Sequence, residues 1–324
     1  TINNIEVYNY SIPLGRLPEK VLLFFGKFAI NKIFRDILKK HGPPDIIHAH
    51  FTRTGNIAAL IKEKYDIPLV ITEHSSQINK DVITPSLKKI AINAYNKADA
   101  VITVSSALQQ KIKAHFNINS CVVHNITEIE TFKFKHQSVK KDEFVFISAG
   151  GLNYNKGFDT LIKAFKRANF DKNIKLKIVG DGLIKTQLKN LIYSEKLSQQ
   201  VDLLGFLPRL KIAELMESCD AFVLASRSET FGVVYIEALC AGLPVIATKC
   251  GGPEDFINET NGILVPVNNE PQLTDALKKM VNNIGNYDKK SISDNCALKF
   301  SPDTIANQLI QIYNHTINNQ SNEQ

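Results

Sequence analysis

The stretch "SETFGVVYIEALCAGLPVIA", residues 228–247, sets a glutamate in the middle of an almost wholly apolar segment. Apolar residues surround Glu237 on nearly every side, which is typical of a buried helix. A buried carboxylate is costly unless a partner compensates its charge. Gly242 and Pro244 end the segment, so we predict a helix from about Thr230 to Gly242. What pairs with Glu237 is the question that follows, and a bound ligand is one answer.

The start of this helix is predicted to be an anion site. Free backbone N–H groups at a helix N-terminus attract negative charge, and here they would belong to Phe231, Gly232 and Val233. Gly232 has no side chain, so a ligand can approach the backbone closely. At ~100° per residue, Glu229 and Glu237 fall on different faces. We therefore expect the two carboxylates to contact different parts of one phosphate-bearing ligand.

Around this stretch, short β-branched runs alternate with helical stretches, the pattern of βαβ units. The predicted strands are residues 5–10, 45–50, 68–74, 99–106 and 121–125, followed by residues 144–150, 175–182, 201–206, 220–226, 244–250 and 262–267. A polar, lysine-bearing stretch at 136–143 separates the two series, which predicts domains at 1–135 and 136–324. The sequence therefore predicts an α/β protein with two parallel-sheet domains.

Ligands of open parallel sheets collect at the carboxyl ends of the strands. The residues predicted to lie there are His74, Ser105, Gly150, Gly151, Gly180, Asp181, Gly182, Gly205 and residues 226–232. With two such domains, we expect the ligand in the cleft between them.

A second stretch, "SAGGLNYNKGFDTLIKAF" at 148–165, has the order of a phosphate-binding loop. A strand is followed by glycines, by Lys156 and by a helix that begins at Phe158, so Lys156 could serve as a point charge for a diphosphate. The alternative is an ordinary loop lysine, because Gly-Lys loops are common elsewhere.

The histidines offer a further candidate site. Strand alternation in "DIIHAHF" places His48 and His50 on one face, and a His-x-His pair can bind metal. No third ligand is evident, so structural histidines with satisfied hydrogen bonds are the favoured interpretation and no metal is expected. His74 differs from this pair because it ends a strand at the inferred cleft.

Together these residues resemble the retaining glycosyltransferase family 4 of the GT-B fold, whose hallmark is a glutamate pair written E-x7-E. The pair here is Glu229 and Glu237, and the segments "ASRSETFGVVYIEALCAGLPVIATKCGGPEDFI" and "NGILVPV" follow the family signature. The resemblance extends from about residue 44 to 316. It implies two Rossmann-like domains that face a cleft, with the nucleotide-sugar on the second domain and the last helix packed back on the first.

The resemblance also implies roles for individual residues. Glu237 would bind the ribose hydroxyls of a nucleotide-sugar, and Glu229 would bind hydroxyls of the transferred sugar. Lys156 would neutralise the leaving diphosphate, and His74 would hydrogen-bond near the donor sugar and the acceptor. The predicted catalytic residues are His74, Lys156 and Glu229, and the predicted donor-binding residues are Gly151, Lys156, Gly205, Phe206, Glu229, Phe231, Gly232, Val233 and Glu237.

Two departures from the family pattern bear on activity. The family usually has arginine where Gly151 stands, so either Lys156 acts with another cation or turnover is lower. The family also opens with a strand, a glycine-rich loop and a helix, and the resemblance implies that this sequence begins after them.

We predict transfer of a sugar, with retention of configuration, from a nucleoside-diphosphate donor to a glycan or lipid-linked acceptor in cell-surface polysaccharide synthesis. The resemblance implies no metal, and it favours front-face displacement in which the leaving phosphate takes the acceptor proton. Two alternatives are a UDP-sugar epimerase of the same fold and a non-catalytic protein that binds nucleotide-sugars.

The net charge of +7 is unevenly distributed, because residues 1–140 carry 19 Lys and Arg against 11 Asp and Glu. This excess predicts acidic partners, and no nucleic-acid recognition motif is visible. Residues 19–40, "EKVLLFFGKFAINKIFRDILKK", fit an interfacial helix on an anionic membrane. They also fit the commoner case, a helix packed on a sheet with a solvated basic face.

The remaining features concern the compartment. No apolar run approaches the ~20 residues that cross a bilayer, and no secretory signal is visible. The five cysteines lack close pairing, which predicts buried free thiols in a reducing compartment. The expected location is the cytoplasm, including the inner face of the cell membrane.

Overall fold

The computed structural model describes residues 5–9, 18–135 and 142–323. The chain forms two compact units. The first consists of the described residues up to Val104, residues 109–123 and residues 308–323; the second consists of residues 105–108 and the described residues from 124 to 307. The main division thus falls after Val123, whereas the sequence placed it after Lys135, and residues 136–141 of the expected linker lie outside the described residues.

The first unit contains a parallel sheet in the order β1-β2-β3-β4. Its strands are β1 Ile47–His50, β2 Leu69–Glu73, β3 Ala100–Thr103 and β4 Cys121–Val122. Helices α1 Glu19–His41, α2 Thr52–Tyr65, α3 Pro85–Lys97 and α4 Ser106–Phe116 alternate with them, and the first three residues of α4 belong to the second unit. The register pairs Ile47 with Leu69 and Val70 with Ala100.

The expected strand at 5–10 is not observed. Residues 6–9 have no regular secondary structure, and Tyr10 lies outside the described part of the chain. Ile5 and Val7 are exposed, so this segment has no buried face to stabilise a strand.

The second unit contains six parallel strands in the order β10-β9-β8-β5-β6-β7. The strands are β5 Phe144–Ala149, β6 Ile174–Val179, β7 Val201–Gly205, β8 Ala221–Leu224, β9 Val245–Thr248 and β10 Gly262–Val265. The helices are α5 Ile129–Phe132, α6 Phe158–Ala168, α7 Lys185–Ser194, α8 Arg209–Glu217, α9 Val233–Cys240, α10 Glu270–Asn282, α11 Lys289–Phe300 and α12 Pro302–Glu323, whose end belongs to the first unit.

The strand order of this second sheet reverses between β5 and β8, which pair with each other. Both strands are almost wholly apolar and buried, because helices cover the sheet on both faces. Ligands of such sheets bind outside the carboxyl ends of the strands at this switch point. We therefore expect the candidate site at the loops that follow β5 and β8.

The cysteines follow the expectation in part. Four are buried, and the Sγ atoms of Cys240 and Cys296 lie 2.8 Å apart. Cys121 is exposed, contrary to expectation, because its strand β4 lies at the edge of the sheet. Among the described helices, none combines the length and the apolar character needed to cross a bilayer.

Candidate functional site

The loops after β5 and β8 bring two of the predicted site residues together. Lys156 Nζ donates a hydrogen bond to Glu229 Oε1 at 2.6 Å, and Ser226 Oγ donates to the same oxygen at 2.7 Å. Glu229 is buried, and its ion pair with Lys156 compensates its charge. A cation and a carboxylate thus lie side by side at the switch point of the sheet.

The close approach of these loops depends on a glycine. Gly157 follows Lys156 and has φ +64°, a left-handed conformation that favours glycine. A Cβ at this position would lie 1.9 Å from the carbonyl oxygen of Ala225. A residue with a side chain would therefore push the Lys156 loop away from the end of β8.

Arg227 links the same two loops, and the sequence predicted it only as part of the stretch 226–232, without a role of its own. Its guanidinium forms two hydrogen bonds with the Asp159 carboxylate, at 2.9 and 2.8 Å, and it lies 3.8 Å from the centre of the Tyr154 ring. Burial raises the pKa of Asp159, but the Arg227 guanidinium outweighs it and the net shift is downward. Its sequence signals were its position at the end of a predicted strand and its place two residues before Glu229.

The helix that carries Glu237 starts later than predicted. Helix α9 begins at Val233, not near Thr230, because Gly232 precedes it with φ +93°. A Cβ on Gly232 would lie 2.6 Å from the Tyr235 ring. The first backbone N–H groups of the helix therefore belong to Val233 and the residue after it.

This later start changes the position expected for Phe231. Its backbone precedes the helix, and its side chain is buried against the rings of His124 and Phe256, at centroid distances of 5.5 and 5.4 Å. The side chain of Phe231 therefore packs in the core. The anion site stays a prediction, and the backbone N–H groups that could form it are those at Gly232 and Val233.

Glu237 has a protein partner in this structure. The side chain of Glu237 is only 10% exposed, and its Oε1 lies 2.7 Å from Nη2 of Arg209, a side chain that is half exposed. Burial raises the pKa of Glu237; Arg209 opposes the rise and Glu128 adds to it. A cavity of about 830 Å³ borders Arg209 and Val233. In this structure the partner of the buried Glu237 carboxylate is therefore Arg209 and not a ligand.

Three of the other predicted donor-binding residues, Gly151, Gly205 and Phe206, lie at or just after the ends of strands. Gly151 is exposed, and the Phe206 side chain is 73% exposed. Gly205 ends β7 with φ +75°. Gly151 and Phe206 are open to solvent, whereas Gly205 is half-buried.

The histidines of the first unit form a stacked row. His74 follows β2, and its Nε2 lies 2.9 Å from Nδ1 of His50, whose ring stacks on His48 at a centroid distance of 4.5 Å. The two ring nitrogens of His48 bond to Tyr313 and Thr72 at 2.6 and 2.7 Å. Burial is the main reason that the pKa of His48 falls to about 4.

These histidines hydrogen-bond to one another and to hydroxyl groups. Within residues 5–9, 18–135 and 142–323, no group of three or more His, Cys, Asp or Glu side chains is arranged to hold a metal ion. His74 belongs to the first unit, whereas Lys156, Glu229 and Glu237 belong to the second.

Comparison with known proteins identifies the family. The model described as glycosyl transferases group 1 matches residues 128–293, and the model described as Glycosyltransferase Family 4 matches residues 4–130. An uncharacterized glycosyltransferase of Methanocaldococcus jannaschii is 30% identical over 257 residues, which cover 78% of this chain and 69% of the relative.

Two further proteins are similar. The N-acetylgalactosamine-N,N'-diacetylbacillosaminyl-diphospho-undecaprenol 4-alpha-N-acetylgalactosaminyltransferase of Campylobacter jejuni is 31% identical over 237 residues, 70% of this chain and 61% of the relative. The structure of Anabaena HepE in complex with UDP has a TM-score of 0.77 and 23% identity, covering 90% of this chain and 84% of that one. This chain has the GT-B fold and belongs to the group 1 glycosyltransferases.

Proposed function

We propose that this glycosyltransferase moves a sugar from a nucleoside-diphosphate donor to a lipid-linked or glycan acceptor with retention of configuration, in cell-surface polysaccharide synthesis. The observation that carries the proposal is that two buried carboxylates follow strand β8, Glu229 in the loop and Glu237 in helix α9, and that each is paired with one cation. A nucleotide-sugar offers hydroxyl donors for both carboxylates and a diphosphate for Lys156.

Glu237 would bind the ribose. Two neighbouring ribose hydroxyls can replace the hydrogen bond from Arg209, whose half-exposed side chain has room to turn toward the adjoining cavity. Burial strengthens such hydrogen bonds because water does not compete for the carboxylate.

Lys156 would hold the diphosphate, with the backbone at Gly232 and Val233 as a second source of positive charge. Glu229 would bind hydroxyls of the transferred sugar, since Lys156 and Ser226 already hold one of its oxygens in place. In this proposal Glu229 serves only as a hydrogen-bond acceptor for those hydroxyls and not as a nucleophile, so the leaving phosphate accepts the acceptor's proton. In this proposal the protein's own cations neutralise the diphosphate, without a metal.

The acceptor would be carried by a lipid. The name of the Campylobacter relative includes a diphospho-undecaprenol acceptor. The basic charge of residues 1–140 favours the same class, because lipid diphosphates are anionic and lie at a membrane. His74 would contribute a hydrogen bond near the reacting sugar, and the chain would act at the cytoplasmic face of the membrane.

The test is an assay of the purified chain with UDP-, GDP- and ADP-sugars, with and without a polyprenyl-diphosphate-linked sugar. We expect nucleoside diphosphate to be released only when acceptor is present, and NMR should show that the product keeps the donor's anomeric configuration. Interconversion of two UDP-sugars without acceptor would instead establish an epimerase. Donor binding without release under any acceptor would establish a non-catalytic protein.

A further inference from the structure

Helix α1 exposes large apolar side chains on the first unit. Leu22, Phe24 and Phe28 are 46%, 68% and 56% exposed. Exposed aromatic residues that recur along one helix leave an apolar surface that water does not favour. A partner with an apolar surface would shield these side chains from water.

A neighbouring face of α1 anchors the helix. Phe34 is buried against Ile61 and Ile67, and its ring lies 5.2 Å from that of Tyr65. Nearer the start of the helix, a Cβ on Gly26 would lie 3.1 Å from the Ile57 side chain. The exposed aromatics therefore project from a helix whose other face is packed on the unit.

The exposed face is also basic. Four exposed side chains fall within an arc of ~60° at ~100° per residue: Phe24, Phe28, Arg35 and Lys39. Lys27 is exposed beside the two aromatics. Over its 23 residues α1 has six Lys and Arg against two Asp and Glu. The two aromatic side chains thus lie in the first half of the helix, with one cation between them in the sequence and two more further along the same face.

We propose that this face of α1, defined by Phe24, Lys27, Phe28, Arg35 and Lys39, binds the surface of an anionic lipid bilayer. Aromatic residues enter the boundary between headgroups and acyl chains while neighbouring cations pair with lipid phosphates. A protein partner fits less well, because lysine is depleted at protein–protein interfaces. The helix lies on the bilayer and does not cross it, since its cations are spread along its length.

The first test is flotation of the full chain with vesicles of phosphatidylcholine alone or mixed with equal phosphatidylglycerol. We expect binding only to the mixed vesicles, with weaker binding at high salt. The variant Phe24→Ser with Phe28→Ser should reduce the partition coefficient at least about tenfold. Lys27→Glu with Lys39→Glu should also weaken binding.

The matched control is on α7 of the second unit, where Lys189 and Tyr193 are exposed four residues apart. Lys189→Glu with Tyr193→Ser should leave vesicle binding unchanged. Equal losses in the α1 and α7 variants would overturn the proposal, as would wild-type chain that fails to float with anionic vesicles. All variants are compared by thermal melting, and the α1 variants should melt like the wild type.

A second test uses the absence of tryptophan from the sequence. Phe28→Trp introduces a single fluorophore on the exposed face, and Tyr193→Trp does the same on α7. Anionic vesicles should shift the emission of Phe28→Trp to the blue, and brominated lipids should quench it. Unchanged emission from Phe28→Trp, or a concentration-dependent blue shift without vesicles that indicates self-association, would overturn the proposal. Neither test depends on transferase activity, so this inference can fail while the proposed function stands.

Discussion

Nη2 of Arg209, at the start of α8, lies 2.7 Å from Oε1 of Glu237 in the buried helix α9. This ion pair gives the carboxylate a protein partner, yet burial still holds the pKa of Glu237 above its ordinary value of 4.5. The ion pair with Arg209 therefore offsets only part of the cost of burying the Glu237 charge. In the proposed enzyme, ribose hydroxyls replace Arg209 as the partner.

The raised pKa of Glu237 predicts a pH-dependent stability difference. Because the folded-state pKa lies above 4.5, the uncharged carboxyl contributes stability that is full below pH 4.5 and is lost as pH rises through the raised pKa. Glu237→Gln lacks this titration. The melting temperature of Glu237→Gln should therefore rise relative to that of the wild type as the pH increases from 4.5 to neutral. Parallel melting curves across this range would contradict the burial argument; the exposed Glu214→Gln is the control.

Lys156 should matter far more than a lysine of equal burial. Lys156→Ala removes the charge proposed to hold the diphosphate, so kcat/KM should fall at least about 100-fold. The matched control is Lys175→Ala, because the two lysine side chains are 22% and 23% exposed and each pairs with a glutamate. If steady-state kinetics show similar losses for both variants, Lys156 has only a structural role.

Arg227 should act by positioning the Lys156 loop. Arg227→Lys keeps the positive charge but loses the bidentate hydrogen bonds to Asp159. We therefore expect kcat/KM to fall about tenfold even though the charge is conserved. Asp159→Asn should cause a similar loss, and the double variant should lose little more than either single one. Strictly additive losses in this double-mutant cycle would refute a joint role.

Gly151 offers a gain-of-function test. It is exposed, and a Cβ there would meet only Asn153 Nδ2, at 3.4 Å, so the site tolerates a side chain. Gly151→Arg supplies the cation that the family usually has, and donor affinity measured by calorimetry should rise about tenfold. Gly285→Arg is the control, since no atom lies within 4 Å of a Cβ there. Unchanged affinity in Gly151→Arg would mean that the diphosphate lies elsewhere.

The central strands of the second sheet were predictable because a strand that is buried on both faces is a continuous apolar run in the sequence. Phe144–Ala149 and Ala221–Leu224 are short β-branched and aromatic runs between turn residues, and both form central strands. The strand predicted at residues 5–10 is not observed. The alternation of apolar and polar residues there does not show whether another element covers the apolar face, and Ile5 and Val7 are exposed.

The site was predictable only in part. Lys156 and Glu229 follow two strands that the switch-point rule brings together, so their proximity could be expected. The Arg209–Glu237 pair joins the first residue of α8 to the middle of α9, two elements far apart in the sequence, and left no local signal. The late start of α9 depends on Gly232 and the Tyr235 ring packed against it, which is a tertiary effect.

The most direct test of the account is thermal melting of the wild type and of Glu237→Gln in the presence of UDP-, GDP- and ADP-sugars, since a ligand that binds the folded state raises its melting temperature. We predict that one class of sugar nucleotide stabilises the wild type and that Glu237→Gln needs at least about tenfold more of it for the same shift. Stabilisation by none of the sugar nucleotides, or equal stabilisation of both proteins, would contradict the claim that Glu237 binds the donor.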